Sequence, residues 1–220
     1  MKIIIITLVF TLLLLVIIPL VLTLGIKYLP GGIQPSLGNT KRIYGDVRLS
    51  QSFISIKDNF AGIGTSIKNP NFANKEDLRI DIYDEKDQLI RTTSINGRNT
   101  ADGNFMRITF PPIENSKGGK FTFSLSSTAS TYENALEVFL TKDKTSWNME
   151  LKENGQKENE SISFITLHKV ASPFEVLGII ISGWITRLIS DTFFFIFYTT
   201  IIIVLLVSLF IPWKSKRNLI

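Results

Sequence analysis

The chain has 220 residues, a formal net charge of +5, one histidine and no cysteine. Without cysteine it has no disulfides, thiolate metal sites, cysteine nucleophile or lipidated cysteine, and the lone His168 excludes a multi-histidine metal centre. The positive charge does not point to nucleic acid. Lys2, Lys27, Arg187, Lys214, Lys216 and Arg217 flank the apolar ends, and the nearly neutral middle has no basic run interleaved with aromatics.

Ile3 to Gly25 is free of charge over 23 positions. At about 1.5 Å rise per residue, such a helix reaches roughly 30 Å, enough to cross the hydrocarbon core of a bilayer. The run exceeds the usual h-region of a secretory signal, and Leu22-Thr23-Leu24-Gly25 has no A-x-A cleavage pattern. Residues 1–26 therefore read as an uncleaved transmembrane signal-anchor, with Pro19 kinking the helix. Residues 27–44, with Pro30, Gly31, Gly32 and Pro35, read as a linker.

Residues 45–170 alternate short apolar-rich runs with turn residues. Gln51 to Ile56, Ile63 to Ile67 and Leu78 to Tyr83 are expected strands, the last pointing Leu78, Ile80 and Ile82 to one side. Asp84 to Asp87 forms a polar loop and Leu89-Ile90 begins the return, which predicts a hairpin. Phe105 to Phe110 is a further strand, expected to stop at Pro111-Pro112. Phe121 to Leu125, Leu136 to Leu140, Trp147 to Leu151 and Ile162 to Leu167 complete about nine strands with no convincing helix. The fold class is mainly β: a single antiparallel β-sandwich, with a jelly roll preferred because no Cys–Trp–Cys pattern supports an immunoglobulin relative. Leu78, Ile80, Ile82, Phe121, Phe123, Leu125, Val138 and Leu140 are its expected core.

Residues 173–190 form an amphipathic, membrane-proximal helix. Glu175, Ser182, Thr186, Arg187 and Ser190 fall mostly at helical spacings, and apolar residues fill the wider face. It either lies in the membrane interface or packs as a third hydrophobic helix. Residues 192–213 are the second transmembrane helix, uncharged from Phe193 to Trp213, and residues 214–220 are a basic tail. Lys214, Lys216 and Arg217 place that tail in the cytoplasm. Two spans then put both termini, including Lys2, inside and the β-domain outside the cell membrane.

The runs Gln51 to Ile63, Ser66 to Pro70, Leu78 to Asp84, Leu89 to Arg91, Phe110 to Ile113, Ser116 to Gly118 and Phe121 to Leu125 carry a resemblance. The chain from about residue 50 to residue 168 resembles the external, carbohydrate-binding-like jelly-roll modules of bacterial multi-span membrane proteins, some of them glycosyltransferases. The resemblance implies an envelope location and a carbohydrate ligand. The many-helix catalytic part of the large members has no counterpart here.

No catalytic constellation emerges from the sequence. Asp81, Asp84, Glu85 and Asp87 cluster, as do Glu133 and Glu137, but a glycosidase needs two carboxyls across a cleft with one pKa raised. His168 has no nucleophile elbow to serve. Asp102-Gly-Asn104 reads as a turn before a calcium shell, and Asn69, Asn71 and Asn74 as turn residues with spare hydrogen-bonding capacity. No metal or cofactor is expected. Trp147, Tyr132 and Phe60, near strand ends, are the candidate sugar-stacking residues, with a core role for Trp147 weighed against that. The expected function is a non-enzymatic, membrane-tethered binding or scaffolding module. Its partners would be the lipid bilayer, an envelope glycan, and a membrane protein or a second copy of itself. The alternative is an accessory subunit of a membrane glycosyltransferase or other envelope-assembly complex.

Overall fold

The computed structural model describes residue 10, residue 21, and residues 23–100, 103–143, 145 and 147–210. Most of the expected signal-anchor, with Lys2 and Pro19, lies outside the described residues, as does the tail with Lys214, Lys216 and Arg217. The chain divides into a β unit, Tyr28–Lys169, and a flanking unit made of residues 1–27 and 170–220.

Thirteen strands occur among the described residues. In chain order the first are β1 (Tyr28–Pro30), β2 (Thr40–Ile43), β3 (Arg48–Ile54), β4 (Phe60–Lys68), β5 (Asp77–Tyr83) and β6 (Leu89–Asn96). Next come β7 (Asn104–Ile113), β8 (Lys120–Ser126), β9 (Leu136–Thr141) and β10 (Asn148–Glu153). The short β11 (Gln156–Lys157) and β12 (Ser161–Ile162) precede β13 (Phe164–Lys169). They form two antiparallel sheets: one of seven strands running β1-β13-β4-β9-β12 with β2 and β7 attached, and one of six running β11-β10-β3-β8-β5-β6. From β3 to β10 the chain changes sheet at every connection except the β5–β6 hairpin. That is the winding of a sandwich, where each strand buries one side against the opposite sheet.

Alternation along each strand explains the core. Leu49 and Phe53 on β3, Phe121, Phe123 and Leu125 on β8, and Leu78, Ile80 and Ile82 on β5 all point inward. Val138 and Leu140 on β9, together with Phe60 and Phe164, meet them from the other sheet. All eight expected core positions are buried. All nine expected strands form.

Two expectations are corrected. Residues 27–44 are not a free linker: β1 pairs with β13, β2 pairs with β9, and Leu29 and Ile43 are buried. Their pairing partners come from the far end of the β unit, so no local pattern announced them. Nor does Pro111-Pro112 stop β7. The prolines lie in a register shift opposite β4, on a strand paired along one side only, so their missing N–H groups break no ladder. Their carbonyls accept Nε and Nη2 of Arg91 at 3.0 and 3.3 Å. Gly62 permits the close approach of β4 to β7, since a Cβ there would lie 2.4 Å from the Ile108 oxygen.

The flanking unit contains two helices, α1 (Pro173–Ser190) and α2 (Thr192–Phe210). Among the described residues, α1 is long and apolar enough to cross a membrane, and Thr192–Val204 is a shorter apolar helix. Arg187 and Asp191, four residues apart, form no ion pair. Asp191 breaks the helix instead, and its carboxylate accepts the Phe194 N–H at 3.0 Å, capping α2. Trp184 on α1 meets Tyr198 on α2 edge to face at 4.4 Å.

Candidate functional site

The outward side of the six-stranded sheet is built by the same alternation that builds the core. On β8, Thr122, Ser124 and Ser126 lie between the inward Phe121, Phe123 and Leu125. Antiparallel pairing aligns them with β3 and β5 in three rungs: Arg48–Ser126–Arg79, Ser50–Ser124–Asp81 and Ser52–Thr122–Tyr83. Small hydroxyls thus form the floor, and longer side chains rise on both sides.

A hydrogen-bond network fixes these side chains. Arg48 Nε donates to Ser124 Oγ at 2.5 Å, and its Nη2 donates to Tyr83 Oη across the central strand. The Arg48 guanidinium lies 5.4 Å from the Tyr83 ring centroid. Asp81 is buried and accepts Arg79 Nε at 2.9 Å and Thr92 Oγ1 at 2.5 Å, both at Oδ1. Among the described residues, Asp81 Oδ2 and the hydroxyls of Ser94 and Ser126 have no protein partner. Two depressions lie on this face. The larger, about 1080 Å³, includes Arg79, Asp81, Ser94 and Ser126; the smaller, about 350 Å³, includes Ser50, Ser52, Thr122 and Lys152. Arg48 and Tyr83 line both. Planar acceptors and donors beside one aromatic ring, over a hydroxyl floor, are suited to a polyhydroxylated ligand with an apolar face.

The residues singled out in the sequence fall elsewhere. Phe60 is fully buried, edge-on to Phe53 at 5.2 Å and to Phe110 at 5.1 Å, so it is core and not a platform. Trp147 is 9% exposed and meets Phe164 edge to face at 4.9 Å, filling the gap before β10. Tyr132 remains on the surface at 55% exposure. The Arg42 guanidinium lies 4.3 Å over its ring, and Tyr44 packs edge-on at 5.3 Å. The structure does not bring the three together.

Asp84, Glu133 and Glu137 have structural partners too. The Asp84 side chain accepts the N–H groups of Lys86 and Gln88, shaping the β5–β6 hairpin loop. Burial pushes the Glu137 carboxyl up, but hydrogen bonds from Thr40 and Arg42 outweigh it and hold it below the usual range. Glu133 is also held low, by its own backbone N–H and Thr131. A glycosidase acid needs the opposite shift. His168 is buried, with Nε2 2.9 Å from Thr166 Oγ1 and Nδ1 3.0 Å from the Asp58 carbonyl. Asn69 and Asn74 spend their amides internally: Asn69 Nδ2 reaches the Asn74 and Gly97 carbonyls, and Asn74 Nδ2 reaches Ser130 Oγ and the Asn134 carbonyl. Asp102 lies outside the described residues, and among these no group of three or more His, Asp or Glu could hold a metal.

No protein-family model matches the chain, and no curated protein matches it. Among solved structures it is similar to a family two carbohydrate esterase from Cellvibrio japonicus, at 10% identity and TM-score 0.30 over 64% of this chain and 32% of that one. It is also similar to a carbohydrate-binding module, CBM36, in complex with calcium and xylotriose, at 12% identity and TM-score 0.27 over 64% of this chain and 99% of the module. A third is the CBM36-1 domain of a multidomain xylanase from the hindgut metagenome of Trinervitermes trinervoides, at 10% identity and TM-score 0.28 over 66% and 98%. The chain spans about a third of the esterase's length.

Proposed function

We propose that the β unit is a non-catalytic glycan-binding module held at the outer side of a cell membrane by its flanking apolar segments. The observation that carries the glycan reading is the three-rung face of β3, β8 and β5. It places a ring, a guanidinium, a buried carboxylate and a row of hydroxyls on one concave surface. Sugars present hydroxyls that pair with fixed carboxylates and guanidiniums, and ring faces that stack on aromatics. The membrane reading rests on the uncharged run from Ile3 to Gly25 and on the apolar helices α1 and α2. It is supported by β1 and β13, adjacent strands that carry the chain into and out of the β unit, and by the Val170 N–H bonded to the Lys27 carbonyl at 3.0 Å. A glycan array probed with the full chain in lipid nanodiscs tests the reading. Binding should appear, and Arg48→Ala, which removes the guanidinium, should weaken it about tenfold or more. An array without a single ligand at millimolar concentration would reject it.

The second reading, an accessory subunit of a membrane glycosyltransferase or other envelope-assembly complex, is favoured by one observation. Apolar side chains on α1 and α2 stand open, Ile189 at 82% and Phe193 at 80% exposure, so a neighbouring membrane protein has surface to engage. A photoreactive residue at Ile181 in native membranes distinguishes the readings: protein adducts support the subunit, and lipid adducts alone support a simple anchor.

A further inference from the structure

Resting on the glycan reading, we infer that the Arg48–Tyr83 pair, which spans the three rungs diagonally, is the crossing point of the site and that the ligand is a linear chain lying across both depressions, not a single sugar. The two depressions follow one another along β8. The larger lies beside Ser126 and the smaller beside Thr122 and Lys120. From Lys120 to Ser126 the strand extends about 20 Å at its usual rise, room for several sugar rings end to end.

Arg48 and Tyr83 are the two residues that line both depressions. They sit on opposite sides of β8 and meet above it: Arg48 leaves β3, donates to Ser124 Oγ on the way, and ends on Tyr83 Oη from β5. A ligand that fills both depressions has to cross this pair. Among the described residues, Tyr83 is the one aromatic residue lining either depression. Its hydroxyl is held by Arg48, so the ring is oriented before any ligand arrives and loses little rotamer freedom on binding. Both sides carry donors and acceptors. Arg79, Asp81 and Ser126 line the larger depression, and Lys120 and Lys152 stand with Asp84, Glu85, Asp87 and Glu150 around the smaller one. A chain unit on either side of the pair therefore meets charged donors and acceptors for its hydroxyls. A unit seated over Tyr83 needs an apolar ring face, which selects pyranoses with mostly equatorial hydroxyls.

The test is calorimetric titration of the full chain in nanodiscs with β-1,4-linked oligomers of glucose, xylose and N-acetylglucosamine, from the monosaccharide to the hexamer. The expected result is little or no binding of the monosaccharide, then affinity rising with each added unit until both depressions are filled. Tyr83→Ala should abolish that rise and lower hexamer affinity about tenfold or more, while Tyr83→Phe keeps the ring and the length dependence. Arg48→Ala should flatten the rise as well, with an unchanged thermal midpoint reporting an intact fold. A monosaccharide that binds as tightly as its hexamer overturns this inference and leaves the glycan reading standing. Length dependence that survives Tyr83→Ala also overturns it. Failure of every oligomer to bind overturns this inference, and only a glycan array without a ligand removes the glycan reading itself.

Discussion

Phe53 touches four other phenylalanine rings, Phe60, Phe121, Phe123 and Phe164, at centroid distances between 5.2 and 6.1 Å. Phe123 and Phe164 add an edge-to-face contact across the sheets at 4.8 Å. Removing the fully buried Phe123 ring leaves a cavity that rigid neighbours cannot refill, so Phe123→Ala should cost about 3–5 kcal/mol in urea or thermal unfolding. Gln51 is the polar exception inside: its Oε1 accepts the Ile162 N–H from the opposite sheet at 3.0 Å. Such a residue reads as a break in alternation, yet it sits at an inward position and ties the two sheets together. At the surface of the other sheet, Glu137 has a depressed pKa, so its stabilising effect is complete above the ordinary carboxylate range and is lost as pH falls through its folded value. Unfolding titrations should therefore show wild type losing stability on acidification more steeply than Glu137→Gln. Identical acid limbs would show that Arg42 and Thr40 do not hold this carboxylate.

Elements show where sequence reasoning succeeds and where it stops. Strands whose inward and outward residues alternate, such as Leu78 to Tyr83 and Phe121 to Leu125, were legible because half-buried strands carry a period of two. The candidate face was not legible, although its residues lie on those same strands. An outward serine or threonine looks like any solvated position until register brings Arg48, Ser124 and Tyr83 together from three strands. β1 and β2 were missed for a related reason: strand identity there depends on β13 and β9, more than ninety residues away. Aromatic residues near strand ends were misleading, because a sandwich needs large rings to close its ends, and Phe60 and Trp147 do that. The loop at Asn69 to Asn74 forms a polar knot with Gly97, Ser130 and Asn134, beside the Thr128 and Ala129 edge of the larger depression. Asn74→Ala would strand the Asn134 carbonyl, at about 1–3 kcal/mol if it is shielded from water, and leave the Ser130 hydroxyl with Ser127 alone. Hydrogen exchange should then rise first in residues 127–135, and an unchanged exchange pattern would show that Asn74 does not brace that loop.

On the scale of the whole chain, the proposed membrane tether turns on which side of a bilayer each segment would occupy. Because β1 and β13 are neighbours, the segments before and after the β unit start from the same end of it. Under that proposal one crossing on each side would put both termini opposite the β unit, and Lys214, Lys216 and Arg217 would obey the positive-inside tendency. α1 complicates this, being apolar enough to cross on its own. Were both α1 and α2 to cross, the basic tail would return to the side of the β unit, against that tendency. The hydroxyls of Thr186 and Ser190 bond back to the carbonyls four residues earlier, which lowers their cost in an apolar surrounding without removing the charges of Glu175 and Arg187. Under the proposed tether those charges would favour α1 lying along the interface, with Arg187 toward the headgroups. Single cysteines at Ser94, Ser190 and Ser215, labelled in intact cells by a membrane-impermeant reagent, test the arrangement. Ser94 and Ser190 should label from outside, and Ser215 only after permeabilisation. Labelling of Ser94 and Ser215 from the same side would overturn the single crossing after the β unit, and a Ser190 protected until permeabilisation would make α1 a crossing helix.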